Sequence, residues 1–393
     1  MRSNYKRIGD YIRLVDERNK GLQIKNLLGL SISKEFIPSV ANIVGTDMEN
    51  YKIIRKNQFA CSTMQVRRDK KMPVALLQEV NEAIISQAYP IFEVKDEKEL
   101  LHEYLMMWFT RKEFDREACF NAVGGVRGSL EWEDFENMQF PVPHVDKQKE
   151  IVKEYNVIQN RIALNQQLIQ KLEETAQSLY KQWFVEFEFP DENKQPYKSN
   201  GGEMVWNEEL GREIPEGWEI IELKEIIENF DSKRIPLSGN DRDNRERKYP
   251  YYGAASLMDY IDEYIFDGTY ILLGEDGTVV TGRGTPVLQY VWGKFWVNNH
   301  AHVLQGRNGF DENSLYVLLN NTNITDIITG GVQAKINQTN LNAIQVLRPK
   351  DKVLEFYNKT LKPIFELFKN LSTENQKLSE LKDLLLSKLA TVE

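Results

Sequence analysis

The chain has 393 residues, is 41% apolar and 11% aromatic, and carries a net charge of −9. That is room for two or three folded domains, with too many aromatic side chains for a disordered polymer. No stretch of about 18 apolar residues occurs and the charged start of the chain holds no apolar signal core; a soluble, cytoplasmic protein without a membrane segment is expected.

Cys61 and Cys119 show no metal-type spacing and read as reduced thiols. The acidic total argues against a nucleic-acid partner only on average, because binding follows the local field. Tyr51–Gln78 holds Lys52, Arg55, Lys56, Arg67, Arg68, Lys70 and Lys71 against the single acid Asp69. "KELLHEYLMMWFTRKEF" (98–114) follows with helical periodicity. Next comes "GGVRGSLEWEDFENMQFPVP" (124–143), then a long apolar seam, and then "PDENKQPYKSNGGE" (190–203), whose Pro, Gly and polar residues suggest an interdomain linker.

Beyond the linker, Ser232–Lys248 is again basic, with Lys233, Arg234, Arg242, Arg245, Arg247 and Lys248. Val279–Phe310 contains no acid, and there Arg283, Lys294, Asn298, Asn299 and His300 stand among aromatic residues. Short β-branched and aromatic runs broken by Gly, Asn and Pro read as strands, so both globular parts are expected to be mixed α+β.

Residues 330–349, "GGVQAKINQTNLNAIQVLRP", align without a gap on 124–143 at an offset of 206, and the alignment continues through Lys171/Lys377 and Leu179/Leu385. "IGDYI" (8–12) echoes "LKEII" (223–227) at 215, and "AIISQAYPIF" (83–92) echoes "FWVNNHAHVL" (295–304) at 212. The chain therefore reads as two copies of one plan: a globular domain followed by a long helix.

In the first helix Ile151, Tyr155, Ile158, Ile162, Asn165, Ile169, Leu172, Ala176, Leu179 and Trp183 alternate spacings of four and three, the seam of a coiled coil. The offset of 206 carries the seam to Tyr357 through Leu389, with Asn375 as its asparagine. An antiparallel pair in which residue numbers sum to 540 places Asn165 on Asn375, Trp183 on Tyr357 and Ile151 on Leu389. Two asparagines meeting in an apolar seam satisfy each other and penalise a slipped register. A helix of about 38 residues is roughly 55 Å long, which suits a spacer. The alternative is that each helix packs on its own globular domain. The expected division is 1–145, helix 146–189, linker 190–203, 204–350 and helix 351–393.

This order of parts, with "KLEETAQSLYKQWFVEFEFP" closing the first helix, "IPEGWEIIEL" opening the second domain and "LSELKDLLLSKL" closing the last helix, resembles the DNA specificity subunit of type I restriction-modification systems. The resemblance covers essentially the whole chain. It implies two target recognition domains, each reading half of a bipartite site in double-stranded DNA. It further implies spacer helices on which two modification (methyltransferase) subunits dock, restriction subunits joining through the complex, and catalysis residing in those partners. A coiled-coil adaptor that organises proteins without reading DNA is the rival.

DNA recognition needs cations for phosphates and hydrogen-bonding groups for base edges. The first-half candidates are the seven cations above, with Gln65 as a base reader and Arg127 after the Gly pair. The second-half candidates are Lys233, Arg234, Arg242, Arg245, Arg247, Lys248, Arg283, Lys294, Asn298, Asn299, His300, Gln333 and Lys335. "GEDGTVVTGRGTP" (274–286) lacks Gly-Lys-Ser/Thr and a following helix, so it reads as a turn between strands and not as a phosphate loop. His300 and His302 show no third ligand at recognisable spacing, and neither a metal nor a cofactor is expected.

Overall fold

The last strand of each Gly-Gly passage pairs with a strand early in its own half, and in equivalent register. Arg7 stands opposite Gln139, and Glu222 opposite Gln345; the partners differ by 215 and 206, the offsets of the sequence repeat. The computed structural model describes residues 4–39, 46–124, 128–330 and 334–392. The chain divides into two compact units, Met1–Asn165 with Thr373–Glu393 and Gln166–Ser372. The division falls inside the two long helices, Val145–Tyr180 and Asp351–Lys388, so each unit holds a globular fold and one end of each helix. No helix among the described residues is long and apolar enough to cross a membrane.

In the first unit four strands form an antiparallel sheet in the order Ile12–Val15, Ile91–Val94, Phe59–Cys61, Val74–Leu76. The second unit repeats that order with Ile227–Asn229, Ala301–Gly306, Phe266–Gly274 and Leu288–Val297, then adds Tyr249–Tyr252 and Leu257–Ile261 at the free edge. Registers repeat as well. Leu14 and Phe59 both stand opposite Phe92, just as Asn229 and Ile271 both stand opposite Leu304. Nine-residue helices, His102–Thr110 and Glu312–Asn320, occupy matching places in the chain. Alternating apolar positions on short strands bury one face of each sheet. Phe59, Phe92, Phe109 and Phe135 fill the first core, with Phe59 stacked on Phe92 at 5.0 Å. Ile271, Leu273, Leu304 and Leu318 are buried in the second.

The helices pair within each unit. In the first, Asn165 is fully buried and its Nδ2 donates to Asn375 Oδ1 at 3.0 Å and to Glu374 Oε2 at 3.1 Å, while Arg161 forms an ion pair with Glu374 at 2.9 Å. The amides do not satisfy each other fully, because Asn165 Oδ1 has no partner. Lys382 Nζ reaches Gln159 Oε1 at 2.9 Å, and Ile151 and Leu389 share one core. In the second unit Trp183 meets Tyr357 at 5.2 Å.

Off-seam faces pack on the globular folds too: Phe365 lies 5.0 Å from Tyr290, and Leu386 is buried in the first core. Helix pairing and helix-on-domain packing, alternatives at the level of sequence, therefore coexist, since a helix has enough circumference for both. The 190–203 segment is folded onto the second unit through turns: Pro190 bridges Pro196, and Tyr197 stacks on Phe189 at 4.5 Å.

Candidate nucleic-acid interface

The Gly-Gly passage begins as a narrow hairpin in both units. Val123 bridges Ser129, and Thr329 bridges Lys335, the same pair displaced by 206. Gly124 and Gly330 hold φ of +96° and +95°, a left-handed backbone that a Cβ disfavours. Arg127 and Gln333, expected to differ on this shared frame, lie outside the described residues.

Each hairpin is hydrogen-bonded to a second loop. In the first unit Leu130 N donates to Thr63 O at 2.9 Å; in the second Ile336 N donates to Glu275 O at 2.8 Å. Thr63 and Glu275 differ by 212, the offset of the upstream repeat. The loops that follow Thr63 and Glu275 thus occupy corresponding places, though the second returns two residues later, Phe59 standing opposite Leu76 and Ile271 opposite Tyr290, and each half presents a hairpin beside a loop.

The first-unit loop is cationic and exposed. A helical turn, Val66–Asp69, lies between Gln65 and Lys70, both with left-handed φ, which turn the chain sharply at each end. Arg67 Nη1 donates to Gly124 O at 3.0 Å, so this guanidinium braces the hairpin while remaining at the surface. Arg68 pairs with its neighbour Asp69 at 2.6 Å, an exposed contact that raises the guanidinium pKa through the hydrogen bond. Lys70 and Lys71 are exposed, with no side-chain acid partner among the described residues. Lys56 is exposed on a different turn.

Two first-half candidates do other work. Lys52 donates to Tyr89 O at 3.0 Å and its burial lowers its pKa, while Arg55 is held between Glu17 at 2.6 Å and Glu82 at 2.7 Å. Both belong to the Lys52–Arg55 strand and its supports, which neighbouring basic letters in the sequence cannot distinguish from a binding face.

The second-unit loop carries one exposed cation, Arg283, between Thr281 and Thr285, whose hydroxyls lie 2.9 Å apart. Val280 bridges Pro286, which makes this a strand turn with no helix to receive a phosphate. Around its base the charges are paired internally. Arg234 Nη1 donates to Glu275 Oε2 and to Ala301 O, each at 2.7 Å; Lys335 reaches Glu275 at 3.3 Å; His300 Nδ1 lies 2.7 Å from Asp276 Oδ1. Asn298 is buried, and its Oδ1 accepts from His300 N at 2.9 Å, while the Asn299 side chain is exposed.

The remaining second-half cations gather elsewhere. Lys233 lies over Phe230 at 4.8 Å, Arg242 over Tyr251 at 5.0 Å, Lys248 over Tyr249 at 5.2 Å and Lys294 over Tyr264 at 4.5 Å. Arg242 also pairs with Asp259 at 3.3 Å and Arg245 with Asp262 at 3.1 Å, while Arg247 is exposed. Lys294 stands opposite Asp267, at the end of its strand pair remote from residues 275–287.

Four charged residues near these loops were not singled out from sequence: Lys34, Asp115, Asp231 and Glu275. Asp231 Oδ2 lies 2.6 Å from His302 Nδ1, and His302 Nε2 lies 2.9 Å from Ile336 O. Burial raises the Asp231 pKa, but the His302 hydrogen bond and charge, the Val303 N–H and Arg234 bring it below the ordinary aspartate value. Asp231, Glu275 and His302 bring possible metal-ligand atoms within 4.8 Å of one another. Spacing alone pairs His302 with His300; the fold instead brings it two carboxylates. Arg234 and the Ile336 carbonyl already engage this group, which gives it the chemistry of a hydrogen-bonded ion network.

Residues 34–174 and 215–383 match the type I restriction modification DNA specificity domain, one stretch for each copy of the repeat. The chain belongs to this family. It is 22% identical over 306 residues to the type I restriction enzyme MjaIX specificity subunit of Methanocaldococcus jannaschii, covering 74% of this chain and 68% of that one. A match of 127 residues to a putative type I restriction enzyme specificity subunit of Haemophilus influenzae is 32% identical and spans 32% of either chain. The crystal structure of a type I restriction-modification S subunit from M. genitalium is similar in fold, with a TM-score of 0.55 at 17% identity over 98% of this chain and 95% of that one.

Proposed function

We propose that each hairpin and its neighbouring loop read one half of a bipartite DNA target, so that the subunit directs methyltransferase and restriction partners to an asymmetric sequence. The observation that carries this reading is a hairpin tied to its neighbouring loop by the equivalent hydrogen bond in both units, with different side chains on the two loops: Gln65, Arg67, Lys70 and Lys71 in one copy, Thr281 and Arg283 in the other. Phosphate contacts position a protein, whereas base-edge contacts specify sequence. A common arrangement with exchangeable side chains separates these two tasks. As a specificity subunit the chain is the noncatalytic member of its complex.

The modification subunits dock on the long helices in this proposal. In the first unit, partly exposed Val157, Leu381 and Leu384 line a groove with Ile158 and Leu385, edged by Lys153, Glu154 and Lys388. Apolar residues exposed together in this way suit a protein partner. The test is to map methylated adenines in a host genome with and without this chain, then with residues 62–72 and 123–130 exchanged for those of a relative. The exchange should alter one half of the methylated sequence and leave the other intact. Methylation unchanged on deletion would refute the proposal, and unchanged half-site preference after the exchange would remove these loops from it.

A further inference from the structure

Beneath the cationic loop of the first unit lies a buried charge cluster. Asp115 Oδ1 accepts from Lys34 Nζ at 2.8 Å and from Met72 N at 3.1 Å, and Lys34 Nζ also donates to Phe109 O. Both side chains are nearly inaccessible, and Lys34 sits in a left-handed backbone conformation with φ +69°. A buried ion pair is seldom a net gain in stability over apolar side chains of similar volume, because desolvation offsets the attraction. Its geometric effect is definite. Met72 is where the 62–72 loop returns to the fold, and Asp115 stands on Lys112–Asn121, the helix that leads into the Gly124 hairpin. One carboxylate therefore joins the exit of the reading loop to the support of its hairpin.

The second unit does the same with different residues. Glu275, at the entry of its loop, receives Arg234 at 2.7 Å and hairpin residue Lys335 at 3.3 Å, while His302 links Asp231 to the Ile336 carbonyl. These positions are not related to Lys34 and Asp115 by the repeat, so the two clusters are separate solutions to one mechanical problem.

We infer that Lys34–Asp115 in one half, and Arg234–Glu275 in the other, are positioning residues for sequence discrimination: they set the spacing of loop and hairpin without touching DNA. The inference rests on the DNA-reading assignment made above. The experiment uses the full-length subunit with its modification partners and a randomised duplex library, followed by salt titrations on the selected target and on an unrelated duplex. Lys34→Met with Asp115→Leu, and separately Arg234→Met, should lower the selected-to-unrelated affinity ratio about tenfold, with base preference relaxed in one half-site only and the salt dependence unchanged.

Asp115→Asn and Arg234→Lys, which keep part of each hydrogen-bond set, should retain intermediate ratios; they carry the test if the larger changes unfold the protein. Folded variants whose ratio stays within about twofold of the parent, or whose loss spreads over both half-sites, overturn the inference. Lys70→Ala with Lys71→Ala is the control. If it leaves both affinity and salt slope untouched, the DNA-reading assignment fails; if it weakens binding while the positioning variants do not, only the inference about the buried clusters fails.

Discussion

The two loops beside the hairpins occupy equivalent places and differ in where their charges go. In the first unit Lys70 and Lys71 are exposed, with no acid partner among the described residues, and the buried cluster lies beneath them. In the second, Arg234, Lys335 and His300 are bound to Glu275 and Asp276, leaving Arg283 as the exposed cation of the loop. A cation bound to a carboxylate contributes little net field toward DNA, whereas a free one releases condensed counterions on binding. On the proposed DNA-reading assignment, the first loop therefore supplies more electrostatic attraction than the second. The helix pairs contrast too: a polar set around Asn165 in one unit, an aromatic set around Trp183 in the other.

The largest effect is expected where the aromatic helix end is emptied. Trp183→Ala removes contacts to Tyr357 at 5.2 Å and Phe356 at 5.5 Å and should cost about 3–5 kcal/mol in urea unfolding; a loss comparable to an ordinary surface substitution would erase the helix-pair contrast. Next, Lys70→Glu with Lys71→Glu should weaken binding to any duplex by about 10- to 100-fold near physiological salt and flatten the salt slope. Titration in rising salt checks this, and an equal loss from Arg283→Glu alone would abolish the electrostatic difference between the two loops. Asn165→Leu with Asn375→Leu, which removes an amide oxygen lacking a partner, should stabilise the protein by about 1 kcal/mol, read from the denaturation midpoint.

A smaller effect appears in acid. The Asp231 carboxyl titrates below its ordinary value in the folded chain, so the folded state binds that proton more weakly than the unfolded state does. Its contribution is fully present above the unfolded value of about 3.9 and is lost as pH falls through the lower folded value. The stability gap between the parent protein and Asp231→Asn should therefore be constant near neutrality and close in strong acid. Lys34 gives the opposite window. Burial pulls its ammonium below the ordinary lysine value despite Asp115, so its titration adds stability as pH climbs through the folded value toward about 10.4. Paired denaturation series for Asp231→Asn and Lys34→Met would separate the two.

The repeat was legible because it is written in spacing. Gly124/Gly330 and the two helical seams, Ile151 to Trp183 and Tyr357 to Leu389, keep their offset of 206, and the fainter offset of 212 locates the strands that pair as Phe59 with Phe92 and Ile271 with Leu304. The interface was legible only in part. Seven cations between Lys52 and Lys71 look alike as letters, yet Lys52 and Arg55 are absorbed by Tyr89, Glu17 and Glu82, while Lys70 and Lys71 are not.

What local order and periodicity alone determined is the plan: two copies of one mixed α+β domain, two long helices carrying an apolar seam, and the existence of locally basic segments in an acidic chain. Heptads and strand alternation act over a few residues and survive in the linear text. Only the tertiary structure decided which charges are free and which are bound, because each pairing joins residues far apart in the chain, Lys34 with Asp115 and Arg234 with Glu275. A charge buried beside an opposite charge and one facing water carry the same letter; the difference lies in the solvent and neighbours that folding supplies.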